Sequence, residues 1–153
     1  MRVRSELPAT PGPRAKAMLN GLPPANGYRV VVKPLRYREK PHLSAWTDFD
    51  FKEIVLQVPQ PFFAFGEIVA YAAKRRPGKG MRFIWLTEGV TFRTPREVLR
   101  YLYLHEWMHW YLHHHHGRGN SAETTCDRFA LANYRRREVT MVDARAAMRR
   151  SRD

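Results

Sequence analysis

The 153-residue chain has one cysteine, Cys126, no apolar run of about 18 residues, and few acids, 14 Asp plus Glu against 27 Lys plus Arg. A lone thiol excludes a disulfide framework and any cysteine-rich structural zinc site, and it suits a reducing compartment. A cytoplasmic location is the expectation. Without a long apolar run no membrane-spanning helix is expected, and the basic first twenty residues contain no apolar stretch of the kind an export signal carries. No internal repeat is found.

What is present argues for one folded body. Apolar residues make up 44% and aromatics 12%, enough to build a core and to exclude a disordered polyelectrolyte. The formal net charge is +13. It is unevenly spread: residues 1–40 hold nine bases and two acids, 41–127 ten and nine, 128–153 eight and three. A near-neutral middle with basic ends suggests either a chemical body flanked by segments that meet DNA or another polyanion, or charge that only keeps the protein in solution. Arg135, Arg136, Arg137, Arg149 and Arg150 are the candidate contacts, suited to phosphates because no base-stacking aromatics are interleaved with them.

Residues 1–27 carry five of the eleven prolines and read as a flexible, basic arm without regular structure, leaving residues 28–153 as a single domain. Tyr28–Lys33 and Phe51–Val58 read as strands, with the residues between them a loop, Met81–Leu86 reads as a third strand and Glu88–Phe92 as a short fourth. Phe63–Arg76 has apolar residues at helical spacing and stops at Pro77 and Gly78, so a helix is expected there. Thr94, Pro95 and Glu97 form a helix start with a hydroxyl cap, a proline at the first position and a capping-box glutamate. The helix that follows runs to Gly117 with apolar residues on nearly every side, so it belongs at the centre of the domain. Asn120 with Glu123 opens a further helix to about residue 136, and Thr140 with Asp143 a last one. The fold class expected is α+β, a short mixed sheet packed on a central helix with further helices at the C-terminal end.

Inside that central helix stand His105, Glu106 and His109, an HExxH pattern. Residues four apart on a helix lie about 40° round from one another, so both imidazoles face one way and can hold one zinc ion, with Glu106 beside them as a general base. A catalytic zinc takes three protein ligands, so one is missing. In the next helix Glu123 and Asp127 share a face. Packed antiparallel, this helix brings Glu123 to the metal and lets Asp127 accept a hydrogen bond from a ligand imidazole. His115 competes as third ligand, because it completes H-x3-H-x5-H within the run His113–His116. That alternative requires the helix to break, and on an unbroken helix His115 points about 240° round from His109.

These residues resemble the HExxH zinc metallopeptidases, the zincins, and among them the gluzincin-like members with a glutamate third ligand. Glu123–Ala130, ETTCDRFA, is similar to the ExxAxxFA tract of ImmA/IrrE-type metallopeptidases, with Cys126 where alanine is usual. The small size and basic ends are similar to SprT-like proteases. The resemblance covers about residues 81–135. It implies a zincin-like fold, Zn2+ held by His105, His109 and Glu123, Glu106 as general base, Asp127 behind a ligand, and a strand, here Met81–Leu86, that pairs with an extended substrate at the cleft edge. The function it implies is peptide-bond hydrolysis by a metal-activated water, acting on a protein or peptide and brought near DNA by the basic ends. Tyr111, His113, Arg128 and Tyr134 are the candidates to steady an oxyanion. The His115 spacing is similar to YbeY-like ribonucleases and implies zinc-dependent RNA cleavage instead. A non-catalytic, zinc-stabilised nucleic-acid-binding protein is the third class.

Overall fold

The computed structural model describes residues 1–76, 82–117 and 122–150. Its elements are β1 (Val3–Ser5), α1 (Gly12–Met18), β2 (Arg29–Leu35), β3 (Ser44–Asp48), β4 (Glu53–Pro59), β5 (Phe65–Arg76), β6 (Arg82–Phe92), α2 (Pro95–His116), α3 (Glu123–Asn133) and α4 (Met141–Arg150). The class is α+β, as expected. Among the described residues there are four helices, a four-stranded mixed sheet in the order β1-β2-β4-β3, and a separate two-stranded sheet of β5 and β6.

In the larger sheet β1, β2 and β4 are parallel and β3 joins antiparallel at one edge. Alternate residues of the central strands share a face, so Val30 and Val32 of β2 stand opposite Ile54 and Leu56 of β4 and bury together in the core. Against this sheet lies α2. Its start is as the sequence indicates: Pro95 occupies the first turn, the Thr94 hydroxyl accepts the Glu97 N–H at 3.2 Å, and the Glu97 carboxylate accepts the Arg93 N–H at 2.8 Å. Its end is Gly117, whose φ of 61° is a left-handed conformation that costs glycine nothing. Nearly every side chain from Val98 to Leu112 is buried, so α2 is the axis of the core. The later helices α3 and α4 pack in succession beside it. No helix among the described residues is long and apolar enough to cross a membrane.

Three sequence expectations are corrected. The flexible arm over residues 1–27 is instead part of the body: β1 pairs with β2, and Leu7, Ala15, Leu19, Leu22 and Ala25 are buried in the common core. Prolines mark the ends of its short segments, but the apolar residues between them supply the burial that holds it down. A buried guanidinium completes the attachment. Arg100 of α2 donates to the carbonyls of Met18 and Asn20 at 3.0 and 2.9 Å and, on its other side, to those of Tyr134 and Arg136. Gly21 sits at this junction with φ of +84°, and a Cβ there would fall 2.0 Å from the Arg137 carbonyl oxygen.

The helix expected over Phe63–Arg76 is the strand β5. Its alanines favour helix and its apolar spacing fits one, yet hydrogen bonding to β6 along eleven register pairs overrides local preference. The loop expected between the first two strands contains β3. An edge strand with one sheet neighbour needs no continuous apolar run, and Ser-Ala-Trp-Thr-Asp does not announce itself.

Candidate metal centre

Three elements converge on one place. Along one stripe of α2 lie Tyr101, His105 and His109, each four residues from the next; α3 crosses that stripe with Glu123 and Asp127 one turn apart; β3 approaches from the sheet edge with Thr47.

His105 Nε2 and His109 Nε2 are 3.2 Å apart, and the two oxygens of Glu123 lie 3.0 Å from the first and 2.7 Å from the second. A tetrahedral zinc site with bonds of about 2.0–2.1 Å requires ligand atoms about 3.3 Å apart, so the donor set is already close to that shape. His105, His109 and Glu123 are the cluster of His, Cys, Asp or Glu residues, among the described residues, that can hold a metal ion. The donor chemistry also fits. His105 donates its Nδ1 proton to Asp127 Oδ1 at 2.8 Å, which in the neutral ring leaves the Nε2 lone pair facing His109 and Glu123. Two histidines and a carboxylate are a zinc ligand set that leaves one position of a tetrahedron over.

The electrostatics show what a cation would replace. Burial works to lower the His105 pKa, but Asp127, Glu123 and Glu106 outweigh it and push the imidazole up to about 10. Hydrogen bonds from His105 and His109 in turn hold the Glu123 carboxyl well below the usual range. Without metal the site therefore stores a proton between two carboxylates, and a divalent cation would displace it.

Glu106 is adjacent, with its carboxylate 3.8 Å from His105 Nε2 and only 7% of its side chain exposed. Burial raises its pKa, while His105, His109 and the Thr47 hydrogen bond hold it down. The Thr47 hydroxyl donates to Glu106 Oε1 at 3.0 Å and lies 3.2 Å from the Glu106 carbonyl oxygen, tying the edge strand to this carboxylate. The cleft beside it, about 310 Å3, is lined by Leu43, Ser44 and Ala45 of the β3 region and by Tyr101, Leu102, His105, Glu106 and Asp127.

Two members of this site were not singled out from the sequence. Tyr101 donates its hydroxyl to Asp127 Oδ1 at 2.9 Å, the same oxygen that takes the His105 proton. Its place four residues before His105, on the same helical stripe, was a usable signal. Thr47 left none, since its strand was not recognised.

Other expected positions fall elsewhere. α2 continues unbroken through His116, and the His115 ring stacks on Tyr111 at 5.0 Å, away from the cluster. Tyr111, His113, Arg128 and Tyr134 do not line the cleft; Arg128 donates to the carbonyls of Tyr71 and Ala147. The strand expected at the cleft edge, Met81–Leu86, belongs to the separate hairpin, with Met81 outside the described residues, and the edge that borders the cleft is β3. Asn120, the expected cap of α3, also lies outside them. Of the basic candidates, Arg135 pairs with Glu97 at 3.5 Å and Arg136 with Asp143 at 2.6 Å, so both are partly neutralised within the chain. Arg137 and Arg149 are exposed, and the Arg150 side chain is not among those described.

Comparison of the chain with protein-family models, with curated proteins and with solved structures finds no match to any of them.

Proposed function

We propose that this protein is a zinc-dependent peptidase. The single observation that carries the reading is the convergence of His105, His109 and Glu123 from two helices, with a buried carboxylate, Glu106, beside them. Zn2+ held by those three residues would supply Lewis-acid polarisation of a carbonyl and activation of a water near neutral pH.

The rest falls to the chain. Glu106, with its pKa raised by burial, accepts a proton from the attacking water and returns it to the leaving amine. Thr47 fixes the direction of that carboxylate, and Asp127, itself held by Tyr101, fixes the tautomer of His105. Among the described residues no strand pairs with the outer edge of β3, which borders the cleft and offers its backbone groups to an extended peptide that would add as a further strand. The substrate class is therefore an unfolded or extended protein segment.

The test is zinc stoichiometry after dialysis of a variant with His113, His114, His115 and His116 all replaced by alanine, together with hydrolysis of labelled casein. Retention of about one zinc per chain, with hydrolysis abolished by Glu106→Gln, is the expected result. Loss of the zinc from a folded variant would move the ligand set to the histidine run and overturn the assignment.

A further inference from the structure

The hairpin of β5 and β6 is built like an element that has not finished pairing. At its base it belongs to the core: Phe65, Val69, Val90 and Phe92 are buried, and β5 packs on α3, where Arg128 donates to the Tyr71 carbonyl at 2.7 Å. Farther out the same strands are apolar and exposed. Ile84 and Leu86 continue the face that carries Val90 and Phe92 but are 45% and 36% exposed; on the opposite face Trp85 is 57% and Ile68 78% exposed. A two-stranded hairpin is marginal in water without further strands or a covering element. Among the described residues no strand pairs with the outer edge of β6. A long apolar edge of this kind is a template for another strand.

The order of residues along β6 says which strand. We infer that β6 pairs antiparallel with β6 of a second copy of this chain, about a two-fold axis through Trp85, giving a continuous sheet β5-β6-β6-β5. A two-fold axis normal to the ribbon keeps every residue on its own face, so only residues of the same face can stand opposite one another. Centred on Trp85, the two tryptophans meet, each Ile84 stands opposite the other copy's Leu86, and position 82 stands opposite position 88. Those positions carry Arg and Glu. Sliding the register by one face repeat in either direction sets Arg82 opposite Leu86 or opposite Val90, and the match is lost.

At this register the strand is complementary to itself in charge as well as in its apolar residues. The sequence from Ile68 to Thr87 has five bases and no acid, and Glu88 is the first carboxylate to follow them. It is exposed and has no ion pair among the described residues. The isologous arrangement uses it twice, once in each direction. This inference is independent of zinc and of any catalytic role.

Sedimentation equilibrium of the full chain tests it. The wild-type protein is expected to approach twice 18.0 kDa in the micromolar range. Arg82→Glu and Glu88→Arg each set like charges opposite one another at both symmetric positions and should weaken self-association by about tenfold or more. Mixing the two single variants should restore the dimer, because in the mixed pair both symmetric positions again set a carboxylate opposite a guanidinium; the double variant should restore it as well. Circular dichroism of each single variant should match the wild type. Rescue in the mixture cannot arise from a folding defect. A wild-type chain that remains at 18.0 kDa at about 100 μM, or a mixture that associates no better than its components, would overturn the pairing.

Discussion

Helix α2 carries two groups of histidines, and they differ in everything but residue type. His105 and His109 lie mid-helix with 12% and 20% of their side chains exposed, each within 3.0 Å of a Glu123 oxygen. His113–His116 occupy the last turn, exposed, and their neighbours are aromatic: His113 lies on Phe49 at 4.2 Å, His114 meets the Tyr28 hydroxyl at 2.9 Å, and His115 stacks on Tyr111. The direction of titration follows. Carboxylates push His105 up to about 10, whereas partial desolvation and the neighbouring His113 and His115 lower His114. The candidate metal centre is set apart by geometry and not by density of histidine: its imidazoles share a face and meet carboxylates from another element.

The comparison is sharpened most by changes within the buried group. Glu106→Gln should leave zinc content unchanged and lower peptide hydrolysis by about 10²–10⁴-fold, measured as kcat/KM on a labelled peptide. A variant with near wild-type turnover would remove Glu106 as the base. Next in size, Glu123→Ala or His109→Ala should weaken zinc binding by about 10²–10³-fold in a chelator competition, while alanine at His113–His116 changes it by no more than about threefold. Equal losses from the two groups would erase the distinction between them. Asp127→Ala should cost about 10–100-fold in zinc affinity, since it removes the acceptor that sets the His105 tautomer, and Tyr101→Phe less than that.

The smallest effect is that of pH on the metal-free chain. His105 has a folded pKa above its ordinary 6.5, so its contribution to stability is complete below pH 6.5 and is lost as pH rises through about 10. Glu123 is the opposite case, depressed below its ordinary 4.5, so its contribution is present above pH 4.5 and is lost as pH falls further. Thermal unfolding without metal should therefore show its highest Tm between about pH 4.5 and 6.5. Glu123→Ala should flatten the profile. Loss of its maximum on alanine replacement of the C-terminal run instead would assign the titration to the wrong histidines.

How far the site could be read in advance depended on the reach of each interaction. The cap at Thr94, the length of α2 and the shared face of His105 and His109 follow from contacts three or four residues apart, and they appear as expected. Five prolines in residues 1–27 favour an open arm by local preference, but Ala15, Leu19 and Leu22 are buried once α2 stands opposite them. Alanine-rich β5 is a strand because its partner, β6, and not its own composition, decides its state. Thr47 was invisible for the same reason. Its hydrogen bond to Glu106 crosses 59 residues of chain.

What the linear order of residues settled is thus the helical half of the candidate site: two imidazoles on one face and a glutamate beside them, because a helix turns at a known angle per residue. Only the packed molecule decided which carboxylate joins them, which strand borders the cleft and what steadies Glu106. Those depend on backbone pairing and burial between segments far apart in the chain, and no local spacing encodes them.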